Sequence, residues 1–298
     1  MNGTVKFLLA RVGRMYERWL EKRSGGYVFP QYVEEFRDIP YMDDGKACHR
    51  MDVYRPKEFP GSLPVIVNLH GGGLVLCTKE VNRPFCAELA QEGFLVFCVD
   101  YPLVPEVTVP EMLGDVCAGL DRVSELVEQF GGDAHRVFLT GDSAGAFLSV
   151  YAVAAQKSEA IAGAADVVPP KLDVKALGLI NGMFHTAECD ETGFFLRRDF
   201  YGKQWRKHPL LPYLKPEKEK VASLMPPVFL VTCRADKLRG STVRFYNGLK
   251  KCGIDEFLMD FPRKKELIHD FSVVKTELPE SRQVVEEMCR FFRAKINH

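Results

Sequence analysis

The pattern in this chain best suited to chemistry is a serine set into Gly141-Asp142-Ser143-Ala144-Gly145. The apolar run RVFLT before it reads as a buried strand, and AFLSVYAVAAQ after it reads as a helix. Ser143 therefore falls on a sharp strand-to-helix turn that lifts its hydroxyl above a sheet. So tight a turn crowds Cβ atoms, which glycine lacks. The helix starting just beyond would aim unsatisfied N–H groups and its positive end at the place where a negative oxygen could form. The chemistry expected is nucleophilic attack on a carbonyl.

A second glycine cluster, His70-Gly71-Gly72-Gly73, follows another apolar run, VIVNL. Three consecutive glycines leave backbone N–H groups bare. Ester hydrolysis passes through a tetrahedral oxyanion, and each preorganised donor there is worth roughly 10² to 10³ in rate. A phosphate cradle would call for a lysine with Ser/Thr, or GxGxxG spacing, and neither is present. His70 reads as a structural residue holding the loop.

These motifs need elements that bring them to one place. Candidate strands are 33–39, 51–54, 65–69, 94–99, 137–141, 176–181, 228–233 and 256–261, and helical patterns fall at 80–92, 111–130, 144–157, 241–252 and 280–295. The later strands are continuous apolar runs, as expected where both faces of a parallel sheet are covered, whereas the first two alternate like an antiparallel edge. The order predicts a doubly wound α/β fold whose ligands bind beyond the carboxyl ends of its strands. Residues 1–30 and 182–224 fall outside the alternation. The first carries Val5, Leu8, Leu9, Val12, Met15, Tyr16 and Trp19 at helical spacing, an amphipathic helix expected to pack on its own protein. The second is aromatic-rich and long enough to cover the site.

HGGG followed about 73 residues later by GDSAG resembles the hormone-sensitive-lipase-like branch of the α/β-hydrolases, as do VDYPLVPE at 99–106, Ala235-Asp236-Lys237-Leu238-Arg239, and Ile268-His269-Asp270-Phe271. The chain departs from the family pattern at Pro102, where the family has arginine, at Ala146, and in a longer approach to the histidine. The resemblance implies an eight-stranded, mostly parallel sheet in a single domain over 1–298. The core would be about 31–181 and 225–298, with a helical cap from about 1–30 and 182–224. It implies the triad Ser143, Asp236 and His269, with the oxyanion held by the N–H groups of Gly71, Gly72 and Ala144. Both partners also follow apolar strands, VFLVTC and EFLMDF, which brings them to the sheet edge that carries Ser143. His269 would take the serine proton, and Asp236 would fix its tautomer. His185 and His208 fall in the covering segment, and His49, His135 and His298 lack a strand-end context. Asp260 and Asp270 are near His269 in sequence, but loop neighbours rarely face one another usefully. Asp142 reads as a structural residue bonded away from the oxyanion. With His269 as base, activity should rise through a pKa of roughly 6 to 7.

The resemblance further implies hydrolysis of small esters with short to medium acyl chains, through an acyl-enzyme and without metal or organic cofactor. Leu74, Phe184, Phe194, Phe195, Tyr201, Trp205 and Tyr213 are candidates to line the pocket, with packing inside the cap as their alternative. Two rival functions remain open: a small-peptide or amide hydrolase using the same triad, and a ligand-binding protein on this scaffold. The 40 basic and 40 acidic residues cancel, which removes the electrostatic footprint of a nucleic-acid binder. The nine cysteines form no CxxC pair and read as reduced thiols of a cytoplasmic protein. No apolar stretch is long enough to span a bilayer, so no stable membrane insertion is expected. An edge strand or the last helix offers a way to pair two subunits, which one sequence does not decide.

Overall fold

A strand that reads as an unbroken apolar run has its alternate side chains buried on opposite faces of a sheet. In a computed structural model of the chain, which describes residues 27–188 and 193–296 without the side chains of 193–195, this is the rule for every inner strand. Val65, Val67 and Leu69 of β3 (Leu63–Leu69) enter one hydrophobic cluster and Ile66 the other. Leu95, Phe97 and Val99 of β4 (Leu95–Val99) likewise oppose Val96 and Cys98. The same division runs through β5 (Gly132–Asp142), β6 (Val174–Ile180) and β7 (Val228–Cys233). With β1 (Val33–Pro40), β2 (Arg50–Pro56) and β8 (Glu256–Phe261) they form one eight-stranded sheet in the order β1-β2-β4-β3-β5-β6-β7-β8. Only the β1–β2 and β2–β4 pairs are antiparallel; the rest is parallel, as the patterning of the first two strands suggested.

Helices cover both faces. On one side lie α1 (Arg83–Gln91), α8 (Phe271–Val274) and α9 (Pro279–Ala294). On the other lie α2 (Val109–Leu126), α3 (Ala144–Lys157), α4 (Glu159–Ala165), α5 (Gly193–Tyr201), α6 (Glu219–Ala222) and α7 (Arg239–Lys251). The start of α2 is set by Glu111, whose carboxylate accepts from both the N–H and the hydroxyl of Thr108, with Pro110 in the first turn. The helix α4 has no counterpart among the expected elements. It is seven residues long, too short to display a period, and Ser158 caps it by accepting from the Ile161 N–H.

The segment 182–224 contains α5, two 3-10 turns and α6. Its two ends are fastened to α7. His185 bonds Ser241 Oγ at 2.8 Å and Glu217 at 2.9 Å, and Glu188 bridges Lys215 and Arg244 at 3.1 and 2.9 Å. Gly248 of α7 lies so close to Glu217 that a Cβ there would come within 2.4 Å of its carbonyl oxygen. The amphipathic pattern expected within residues 1–30 lies outside the described residues. Among those described, no helix is long and apolar enough to cross a membrane, and no disulfide joins the cysteines.

Candidate active site

The elbow comes first. Strand β5 ends at Asp142 and α3 begins at Ala144, leaving Ser143 alone to turn the chain, with φ 50° and ψ −109°. A non-glycine residue there costs of order 1–3 kcal/mol, held in place by its surroundings. Here the Ser143 N–H donates to the Ile180 carbonyl at 2.8 Å, and its own carbonyl accepts from the Met183 N–H at 3.0 Å. Both bonds clamp the turn to the chain leaving β6. Gly145 makes the approach possible, since a Cβ there would stand 2.0 Å from the Leu69 carbonyl oxygen at the end of β3.

Beside the elbow runs the glycine loop. Gly72 has φ +115°, and a Cβ on it would strike the Leu76 carbonyl oxygen at 2.0 Å. Its carbonyl accepts from the Val75 and Leu76 N–H groups, closing the turn. Among the described residues, the N–H groups of Gly71, Gly72 and Ala144 have no intramolecular acceptor, so all three remain available to an incoming oxygen. His70 is wholly buried. Its Nδ1 meets the Gly71 carbonyl at 2.7 Å, its Nε2 meets Asp100 at 2.9 Å, and its ring stacks on Tyr101 at 4.1 Å. It ties the loop down, the structural part expected of it.

The three residues named from the sequence meet. His269 Nε2 is 3.0 Å from Ser143 Oγ, and its Nδ1 is 3.0 Å from Asp236 Oδ1. Asp236, buried after β7, also accepts from the Leu238 N–H at 3.0 Å, and its Oδ2 accepts from Asn181 Nδ2. Burial alone would raise this carboxyl, but the His269 and Asn181 bonds hold it below its ordinary range. Asn181 was not among the expected site residues. The available signal was an amide directly after the apolar strand ALGLI, at the carboxyl edge of the sheet. The thiol of Cys233 donates to the Leu267 carbonyl at 3.2 Å, anchoring the histidine loop to the end of β7.

Two expectations change here. Asp270, set aside as a loop neighbour, has φ +54°, and this left-handed turn brings its Oδ2 to 3.0 Å from His269 Nε2. Asp236 does hold the other nitrogen, so Asp270 is an additional group rather than a rival acid. Its consequence is electrostatic. Partial desolvation of the ring disfavours an imidazolium, yet the Asp270 and Asp236 carboxylates outweigh it and lift the His269 pKa well above the ordinary histidine value. The electrostatics of the site thus point above the pKa of 6 to 7 expected from the sequence. Asp142 accepts from Asn82 Nδ2 at 2.6 Å through one carboxylate oxygen while the other packs against Gly71, and burial with the nearby Asp270 pushes its carboxyl up to about 7.

The remaining histidines are engaged elsewhere: His185 as above, His49 with Asp44 at 2.7 Å, and His208 with the Leu210 N–H at 3.2 Å. His135 is exposed, and His298 lies outside the described residues. Of the aromatic set, Phe184 is core, its ring 4.7 Å from Phe245 of α7. Tyr201 is buried against the hydroxyl of Thr186. Leu74, just past the glycine loop, is buried with φ +68°. Trp205 is half-buried between the guanidinium groups of Arg197 and Arg206 at 4.8 and 4.6 Å. Tyr213 is half-buried, its carbonyl accepting from the Tyr151 hydroxyl at 2.6 Å. The side chains of Phe194 and Phe195 lie outside the description.

A serine held against an imidazole, itself held against a carboxylate, beside free N–H groups at a strand-to-helix elbow is the constellation of a nucleophilic hydrolase. Residues 66–273 match the family model described as alpha/beta hydrolase fold, and the chain belongs to that family. Among its relatives is carboxylesterase NlhH of Mycobacterium tuberculosis, 28% identical over 261 residues, covering 83% of this chain and 79% of that protein. Another is isoprenylcysteine alpha-carbonyl methylesterase of Arabidopsis thaliana, 29% identical over 213 residues, 68% of this chain and 49% of that protein. The chain spans about half or less of the length of the plant relatives it matches. Esterase B of Lactobacillus rhamnosis has the same fold, with a TM-score of 0.91 at 21% identity over 100% of this chain and 97% of that one.

Proposed function

We propose that this protein hydrolyses carboxylic esters through a covalent acyl-enzyme. Ser143 attacks the carbonyl carbon while His269 takes its proton. The tetrahedral oxyanion is held by the N–H groups of Gly71, Gly72 and Ala144. His269 then returns the proton to the departing alcohol, and water, activated by the same imidazole, releases the acid. Asp236 fixes the imidazole with Nδ1–H donated to it, leaving Nε2 toward Ser143. Substrates are small esters with short to medium acyl chains. Residues 182–224 serve as the cap, and Leu74 beside the glycine loop with Trp205 and Tyr213 of that segment are the candidate contacts with substrate. The observation that carries this reading is the pair of 3.0 Å contacts made by the two ring nitrogens of His269.

The relatives named as methylesterases add the methyl ester of a carboxylate to the substrates worth testing. The experiment is hydrolysis of p-nitrophenyl acetate, butyrate, octanoate and laurate by wild type and Ser143→Ala. Turnover of the short esters that falls by about three orders of magnitude in the variant is the expected result. No turnover of any ester by folded wild type would overturn the reading in favour of an amide hydrolase or a binding protein.

A further inference from the structure

The nitrogen of His269 that faces Ser143 has two neighbours at the same distance. Ser143 Oγ and Asp270 Oδ2 each lie 3.0 Å from Nε2. A hydroxyl can donate to a lone pair or accept from an N–H, whereas an ionised carboxylate can only accept. Were Nε2 a bare lone pair, as a general base must be, an ionised Asp270 would face it oxygen against lone pair. The contact is favourable only when a proton lies between them, on the ring or on the carboxyl. Asp270 is 6% exposed, and its other oxygen, Oδ1, is buried with no hydrogen-bond partner among the described residues. The carboxyl thus has no better place to spend its charge than on this ring.

We infer that Asp270 is a positioning residue that holds a proton on the Nε2–carboxyl pair of the resting site, and that this proton must leave before His269 can act as base. The proton passes to solvent, which the imidazole can reach, its side chain being 41% exposed. The inference rests on the proposed role of His269, and the groups that bear on it can be named from each side. Asp236 at the end of β7 faces Nδ1, Asp142 at the elbow carries a buried carboxyl beside Asp270, and Ser143 faces Nε2. Cys233 at the end of β7 lies near the ring as well, its thiol donating to the Leu267 carbonyl of the histidine loop. Two carboxylates around one imidazole favour the cation, and a third buried carboxyl, Asp142, discourages Asp270 from ionising without it. Once chemistry begins the same contact reverses its effect, because the imidazolium formed as Ser143 gives up its proton is stabilised by Asp270.

The test compares wild type with Asp270→Asn and with Asp270→Gly; glycine accepts the φ of +54° at no steric cost. The acid limb of kcat/KM on p-nitrophenyl butyrate is expected above neutrality in wild type and lower by about one pH unit or more in both variants. That corresponds to a roughly tenfold larger active fraction below both midpoints. The plateau at high pH should fall in the variants, which have lost a partner for the imidazolium. A residue of purely structural importance would lower activity at all pH values and leave the limb where it is. A limb unmoved in both variants overturns the inference. The second measurement needs no turnover: NMR titration of the His269 ring in Ser143→Ala, with and without Asp270→Gly. A midpoint that does not fall on removing the carboxyl overturns the inference even if the esterase reading fails, and a midpoint that falls supports it independently.

Discussion

Asp236 illustrates how much a single side chain depends on donors that leave no motif. Its oxygens are shared between the imidazole, the Leu238 N–H and the Asn181 amide, and each bond fixes part of the carboxylate plane. Asn181→Ala leaves a buried carboxylate oxygen without a donor, a loss of about 1–3 kcal/mol. Steady-state kinetics should show kcat down by roughly tenfold or more with little change in KM. Asp142 makes a prediction of a different kind. Its carboxyl is raised to about 7 when folded, so between roughly pH 4 and 7 the folded chain holds a proton that the unfolded chain has released. This contribution favours the folded state at the acid end and is lost as pH rises through the folded pKa. Urea unfolding of Asp142→Asn should therefore gain on wild type as pH increases over that window; a constant difference would contradict the assignment. That Ser143, Asp236 and His269 would lie together was legible from the family resemblance of their motifs, with the strands before them as added support. Asp270 was not, because its reach to Nε2 depends on a left-handed φ that no local pattern announces. Asn181 escaped because it reads as the last residue of the strand expected at 176–181, and its bond to Asp236 joins segments 55 residues apart.

At the scale of elements, the strands were read from their apolar runs to within a few residues at most ends. The exception is β5, which begins at Gly132 because Gly132 pairs with Leu63, a contact made between distant segments. The long helices were similarly legible, whereas α4, α6 and α8 have seven, four and four residues, too few for a helical period to show. The segment 182–224 was recognised as a break in the alternation long enough to cover the site, but its placement was not legible. What determines its placement is the set of bonds at its ends, above all His185 between Ser241 and Glu217. Replacing His185 by Ala strands a partly buried carboxylate and opens space beside α7. The expected cost is about 2–4 kcal/mol, read as a lower urea midpoint. Unchanged stability would mean that the neck of the covering segment is held by the Glu188 pairs alone.

The molecule as a whole is divided by its sheet into two cores, and one of them closes through the last long helix. Phe292 of α9 stacks on Phe138 of β5 at 4.5 Å, meets Phe94 edge-on at 6.4 Å, and fills the space over Gly178 of β6. Phe292→Ala should cost about 3–5 kcal/mol, lowering Tm by roughly 10 °C in calorimetry, far from any reacting atom. The same topology imposes an order in time. Ser143 and the imidazole beside it are 126 residues apart in the chain. A chain growing on the ribosome at about 5–20 residues per second makes Ser143 roughly 6 to 25 seconds before it makes His269. Over that interval the elbow and glycine loop can already fold, but the hydroxyl has nothing to take its proton. Under the proposed mechanism the unfinished protein would be inert toward esters until the loop after the final strand brings His269 to Ser143.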